Sequence, residues 1–290
     1  ANDLNREKTK SMLIATWNVN SIRTRLEQVR NFLNELRPDL LCIQETKVQN
    51  HQFPSESFAE IGYSASFQGQ KAYNGVALIS RHTLEDVRFG LEGELPNNEI
   101  AISLDEQRRV ISTLINDIRV INVYVPNGST LGSLKYDYKL KWLKHLNLYL
   151  QAQKIREEPI CLLGDFNIAL ESRDIHNPQR LTGGIMASKK ERDALRDLLG
   201  NQLEDVFRIF EQDTNHWSWW DYRSKAWDLD KGWRIDHIYL SQELIEQSKS
   251  CFIAKNMRAN LQPSDHAPVI VDIEWPPEQQ SELEEDFYFQ

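Results

Sequence analysis

Four short polar stretches interrupt apolar segments and carry residues suited to phosphate and metal chemistry. They are Trp17-Asn18-Val19-Asn20, Cys42-Ile43-Gln44-Glu45-Thr46, Leu163-Gly164-Asp165-Phe166-Asn167 and Pro263-Ser264-Asp265-His266-Ala267. A strand core gains nothing from carboxylates and amides, so their repeated placement at the ends of apolar runs points to one site assembled from distant segments. Any one carboxylate could be a cap or an ion-pair partner; the set is not explained that way. Hard oxygen donors, without cysteine and without a His-x-x-x-His spacing, suit Mg²⁺, or Mn²⁺ as a substitute, better than zinc. Asp165 and Asn167 lie two apart on an extended segment and face the same way, so they can orient a water and donate an amide hydrogen bond to a substrate oxygen. In Arg234-Ile235-Asp236-His237, Asp236 is the carboxylate that could orient His266. With no G-x-S-x-G elbow, the inventory fits metal-assisted hydrolysis of a phosphate ester.

A second feature is aromatic. Six aromatic residues, five of them Trp, fall in the 17 residues from Trp217 to Trp233, interleaved with Arg223, Lys225 and Lys231. Such a segment is either a tryptophan-rich core corner or an exposed surface where rings meet sugars and bases while cations meet phosphates. The interleaved cations favour the exposed surface.

These residues need a scaffold of strands and helices. Apolar residues at Ile22, Leu26, Val29, Leu33 and Leu36 predict a helix over 22–36, capped by Ser21 and ended by Arg37-Pro38. Further helices are expected over 135–155 and 188–199, the latter closed by Gly200. Strand-like runs cover 13–17, 39–44, 75–79, 100–104, 110–114, 120–125, 160–163, 235–240 and 269–273, and Asn116-Asp117 reads as a hairpin turn. Hairpins mixed with strand–helix–strand units indicate an α/β protein with mixed sheets. No linker divides the chain, so a single domain over 12–275 is expected, between a flexible leader (1–11) and an acidic tail (276–290).

The formal charge is −9, but five acids crowd into residues 278–290, leaving the remainder near about −4. Nucleic acid therefore stays open as a partner, because binding depends on a local basic face. The ending Glu285-Asp-Phe-Tyr288-Phe-Gln290 has the E-x-x-Y-x-Q form of a viral-protease site and reads as a purification remnant. Three scattered cysteines, Cys42, Cys161 and Cys251, argue against a disulfide framework and fit a reducing compartment. No apolar run approaches the ~20 residues needed to span a bilayer, and residues 1–11 lack a secretory h-region. A cytoplasmic, nucleoid-associated location is expected if the source is bacterial.

The chain resembles the exonuclease III type of abasic-site endonuclease, within the endonuclease/exonuclease/phosphatase superfamily. The resemblance rests on Trp17-Asn-Val-Asn-Ser-Ile-Arg23, Gln44-Glu-Thr-Lys47, Asn122-Val-Tyr124-Val-Pro-Asn-Gly128, Gly164-Asp-Phe-Asn167, Trp219-Trp-Asp-Tyr-Arg-Ser224, Arg234-Ile-Asp236 and Ser264-Asp-His266. The Trp-Trp-Asp-Tyr-Arg-Ser segment narrows it to the abasic-site nucleases. It implies a deoxyribonuclease I-like four-layer sandwich, two packed mixed β-sheets flanked by helices. It also implies a monomeric Mg²⁺-dependent enzyme that cuts double-stranded DNA 5′ to abasic sites and cleans blocked 3′ ends. By the resemblance, Glu45 is the direct metal ligand, with Asn18 and Asp265 nearby. Asp165 activates the water, Asn167 holds it or a phosphate oxygen, and His266 with Asp236 stabilises the transition state, with Tyr124 near the leaving side. Trp219, Trp220 and Trp233 would wall the sugar pocket, and Arg223, Lys47 and Lys135 would contact phosphates. Departures are Ser21, where the family often has glycine, and the 168–178 loop, which lacks the family's usual proline soon after Ala169. The alternatives are a phosphatase or phosphodiesterase acting on a lipid or inositol phosphate, and a catalytically inactive DNA-binding relative.

Overall fold

The computed structural model describes residues 11–154 and 157–277. The strands are β1 (Ser11–Asn18), β2 (Leu40–Gln44), β3 (Ser64–Gln68), β4 (Val76–Ser80), β5 (Glu85–Phe89) and β6 (Val110–Ile115). They continue with β7 (Ile118–Tyr124), β8 (Ile160–Asp165), β9 (Leu203–Asp205), β10 (Asp236–Ser241), β11 (Ser248–Ile253) and β12 (Val269–Glu274). They form two six-stranded sheets, ordered β11-β12-β1-β2-β4-β3 and β5-β6-β7-β8-β10-β9. Each sheet contains one parallel pair, β1/β2 and β7/β8, among antiparallel neighbours.

Side-chain alternation builds the layers. Ile14, Leu40 and Leu78 of the first sheet pack against Val120, Leu163 and Ile238 of the second in one central core. The opposite faces are covered in turn. Ala15, Leu41 and Ile43 meet Val29, Phe32 and Leu33 of the helix Leu26–Leu36. Ile121, Val123 and Leu162 meet Trp142 and Leu146 of the helix Leu134–Lys154 and Leu195 of the helix Lys189–Leu199. The result is a four-layer helix–sheet–sheet–helix sandwich, and strands such as β2 and β4 are buried along their whole length because both faces are covered.

The eight interior strands were legible as apolar runs. The four missed strands, β3, β5, β9 and β11, are the four sheet edges, where half-exposed sequences lack that signature. The run Ile100–Leu104 is not a strand but lies in the helix Glu99–Asp105, capped by the Asn98 side chain accepting from Ala101 N at 3.0 Å. Ala101 and Leu104 are the residues it buries, a helical spacing. The first helix starts at Leu26 instead of Ile22, because residues 22–25 form a turn in which Ser21 Oγ accepts from Thr24 N. Asn116 and Asp117 both adopt positive φ, 44° and 65°, as a tight β6–β7 hairpin requires. The leader loses Ser11 to β1; residues 1–10, Ile155 and the acidic stretch 278–290 lie outside the described residues.

Candidate active site

The parallel pairs place four C-terminal strand ends at one edge of the sandwich. Asn18 is in register with Gln44, and Tyr124 with Asp165. Asp236 opens the antiparallel β10 directly opposite Asp165. A buried polar bridge fixes the two sheets beneath this edge: Gln44 Nε2 donates to Thr16 Oγ1 (2.9 Å) and Asn122 Oδ1 (2.8 Å), while Asn122 Nδ2 donates to the carbonyls of Ile43 and Ala77. Gly164 is obligatory there, since its φ is +146° and a Cβ would lie 1.9 Å from the Val123 carbonyl oxygen. Just past the tips, Asn20, Glu45, Lys47 and Asn167 all leave with positive φ. Such left-handed residues cost about 1–3 kcal/mol each, and the surrounding contacts must hold them.

Asp165, Asp236 and His266 form a buried relay. His266 Nδ1 lies 2.8 Å from Asp236 Oδ2, and His266 Nε2 lies 3.6 Å from Asp165 Oδ2. Asp165 accepts from Asn167 N through Oδ1 (3.0 Å) and from Asn18 Nδ2 through Oδ2 (2.9 Å). Ser218 Oγ accepts from Asp236 N, and Ser264 Oγ joins the Asn18 carbonyl to His266 N. Burial pushes the Asp165 carboxyl up to about 7; the charge of His266 opposes the rise and that of Asp236 adds to it. Burial alone would make His266 a weaker base, but Asp236 and then Asp165 outweigh it and lift the imidazole to about 10. Near neutral pH an imidazolium therefore faces a carboxyl group poised to take up or release a proton.

Glu45 sits at the mouth. Its Oε1 accepts from Tyr124 OH (2.7 Å) and Asn18 Nδ2 (3.1 Å), and its Oε2 pairs with Lys47 at 3.2 Å. Burial keeps the Tyr124 phenol protonated, well above its ordinary pKa. Asp265 accepts from Trp219 Nε1 (3.0 Å) and Asn20 Nδ2 (3.3 Å). Asn18, expected near the metal, accepts from Asn20 N through Oδ1, and its amide nitrogen bridges Glu45 and Asp165. One Asn167 amide hydrogen is likewise committed, to the Val125 carbonyl at 2.8 Å.

Two grooves meet at this mouth, sharing Asn127 and Ser129. One, of about 780 Å³, is walled by Trp219 and Trp233 with His176, Arg180, Arg223 and Lys231 around it. The other, of about 680 Å³, holds Tyr73, Arg109, Tyr124 and Lys135. Trp220 does not line a groove; it is fully buried, donates to Asp230 Oδ1 and packs with Trp217, Ala226 and Ala267. The aromatic segment is thus a core corner at Trp217 and Trp220 and a groove wall at Trp219 and Trp233. Arg223 is exposed and paired with Asp221, and Lys47 is held between Glu45 and Asn20 Oδ1.

The sequence profile of the endonuclease/exonuclease/phosphatase family matches residues 15–266. The chain belongs to that family. It is 35% identical over 270 residues to exodeoxyribonuclease III of Haemophilus influenzae, a match covering 89% of this chain and 98% of the relative. A Bacillus subtilis exodeoxyribonuclease is 31% identical over 264 residues, again 89% and 98% of the two chains. Among solved structures, a Neisseria 3′ phosphatase bound to a product DNA hairpin superposes with a TM-score of 0.85 at 38% identity, covering 91% of this chain and all of that one. An abasic-site (AP) endonuclease from Archaeoglobus fulgidus gives 0.84 at 38% identity, covering 90% and 99%. Within the endonuclease/exonuclease/phosphatase family, the chain is an exonuclease III-type phosphodiester hydrolase.

The donor set suits a cation. Four carboxylates, Glu45, Asp165, Asp236 and Asp265, converge on the mouth, against Lys47 and a protonated His266 facing them. That excess of hard oxygen charge fits a divalent ion. The ligand atoms of Asp165, Asp236 and His266 also lie within 4.8 Å of one another. Both His266 nitrogens already face carboxylates, so this trio is arranged as a relay, which leaves Glu45 and Asp265 as the carboxylates that could hold a cation.

Sequence reasoning assigned no role to Asn20, Arg109 or Ser218. Asn20 connects Lys47, Asp265 and Tyr222, and it stood unassigned within a recognised motif. Arg109 lies 4.7 Å over the Tyr124 ring and donates to the Tyr124 carbonyl, and no local sequence signal marks it.

Proposed function

We propose that the protein is a Mg²⁺-dependent DNA-repair nuclease that hydrolyses the phosphodiester 5′ to an abasic site. It leaves a 3′-hydroxyl and a 5′-deoxyribose phosphate, and it also cleans 3′ ends. The observation that carries this reading is the Asp236–His266–Asp165 relay beside a groove walled by Trp219 and Trp233. Asp165, held by Asn18 and Asn167 and titrating near neutrality, takes the proton of the attacking water. His266, kept cationic by Asp236, donates from Nε2 to a non-bridging phosphoryl oxygen as charge builds there. Tyr124, protonated and fixed by Glu45 and Arg109, stands ready on the leaving-group side. Glu45 and Asp265 would hold the metal, which when bound acts as a Lewis acid on the phosphate. A sugar without a base leaves the stack at little cost, and the aromatic wall gives it an apolar face to rest on.

Support from relatives comes from the Haemophilus and Bacillus exodeoxyribonucleases, the Archaeoglobus AP endonuclease and the Neisseria 3′ phosphatase with its product hairpin. The test uses a duplex with one abasic analogue, with Mg²⁺ or with EDTA, beside undamaged duplexes with a recessed or phosphorylated 3′ end. Metal-dependent incision of the first is expected, with removal of the terminal group from the others. No incision of the abasic duplex would remove the endonuclease reading, and shortening of the recessed strand alone would make the enzyme a 3′ exonuclease.

A further inference from the structure

Lys139 lies on the helix Leu134–Lys154, outside every motif of the site, and is fully buried. A buried ammonium is costly unless each of its three hydrogens finds an acceptor. All three do: the Asn167 carbonyl (2.7 Å), the Asn127 carbonyl (3.1 Å) and the Glu191 carboxylate. Those two carbonyls belong to the segments that follow β8 and β7, the segments that supply the site. Asn127 also lines both grooves and donates to Asn167 Oδ1 at 3.4 Å.

The other end of the tie is equally determined. Glu191, also fully buried, accepts from Ser188 Oγ (2.7 Å) and Met186 N (3.1 Å). It thereby couples Lys139 to the segment carrying Ile185 and Met186 on the groove wall. Gly128 makes room for this arrangement: its φ is +85° and a Cβ would stand 2.9 Å from Lys139 Cδ. A pair needed only for stability would be replaceable by apolar packing. This one spends two of three ammonium hydrogens on backbone beside the reacting centre.

We propose that Lys139, backed by Glu191, is a positioning residue that sets Asn127 and Asn167 against the scissile phosphate. The inference rests on the reading of Asn167 as a residue that touches the attacking water or the phosphate. Losing the tie lets the two segments drift, and a displacement near 1 Å at such a residue can cost about 10²-fold in rate. Because Lys139 itself meets no substrate, the loss falls on kcat and not on KM.

The test compares Lys139→Met with Leu198→Ala, a core truncation in the same outer layer that removes no hydrogen bond to these carbonyls. Both are assayed with added Mg²⁺ on the abasic duplex, well below their melting temperatures. Lys139→Met is expected to lower kcat by about ten- to a hundredfold at a KM within twofold of wild type, while Leu198→Ala loses Tm but keeps kcat. Lys139→Met/Glu191→Met leaves no unpaired charge, supplies the measurement should the single variant not fold, and is expected to show the same kcat loss. A kcat within twofold of wild type in either Lys139 variant, or an equal loss in Leu198→Ala, overturns the proposal. A wild-type enzyme that does not cut the duplex would instead refute the function on which it rests.

Discussion

Asp236→Asn isolates the electrostatic part of the relay. Asn has the shape of Asp and can still accept the proton of His266 Nδ1, so the substitution removes charge and little else. Lifting an imidazole from 6.5 to about 10 corresponds to about 5 kcal/mol in favour of the imidazolium, at about 1.4 kcal/mol per tenfold change. Asp236 is the largest favourable contributor, and burial opposes it. Without it, His266 is expected to return to its ordinary value or below, leaving roughly a tenth or less protonated near pH 7.5. The rate at that pH should fall by about tenfold or more, in step with the protonated fraction. Single-turnover incision measured from about pH 5.5 to 9.5 resolves the sign. The wild-type rate should rise as Asp165 loses its proton near 7 and hold until His266 gives up its proton near 10. In Asp236→Asn the alkaline fall should move below about pH 7. An unmoved alkaline limb, or a rate within threefold of wild type, would refute the assignment of His266 as a charged donor held by Asp236.

Other outcomes follow from the same geometry. Asp174 is buried between Arg234 Nε (2.7 Å) and Arg208 Nη2 (2.6 Å), and these cations outweigh burial and hold its pKa at about 2. Its stabilisation is complete above the ordinary carboxylate value and is lost as pH falls through about 2. Asp174→Asn should cost about 3–5 kcal/mol in urea unfolding at neutral pH and weaken the acid dependence below pH 4; equal stability would exclude the buried cluster. Trp220→Ala should destabilise by about 3–5 kcal/mol as a core truncation, whereas Trp219→Ala should leave Tm nearly unchanged and raise KM on the abasic duplex. The reverse pattern would invert their placement. Asn18→Ala leaves the Glu45 and Asp165 carboxylates without their shared donor, so the acidic limb of the rate profile should move to higher pH; an unmoved limb contradicts the bridge.

The sequence revealed the interior strands and the strand-tip acids for one reason: polar groups at the end of an apolar run have few purely structural explanations. Asp165, Asp236 and His266 were legible in this way, and the structure brings them together. Edge strands escaped because water covers one side of them. Ile100–Leu104 misled because an isolated five-residue apolar run has no clear period, and its cap, Asn98, lies two residues before it. Trp220 was named but misplaced, and the direction of the Asn18 amide was not readable, since burial depth and amide direction depend on partners that arrive from other segments. Lys139 and Arg109 were invisible because their significance lies in distant backbone carbonyls, which every residue possesses.

In the proposed function Asp165 performs the chemistry at this edge and does not serve to hold the DNA. Asp165→Asn should therefore be measured on the abasic duplex with Mg²⁺ for single-turnover incision and, in parallel, for DNA affinity. Incision is expected nearly to disappear while Kd stays within a few-fold of wild type. Incision that persists, or affinity that collapses along with incision, would contradict that role for Asp165.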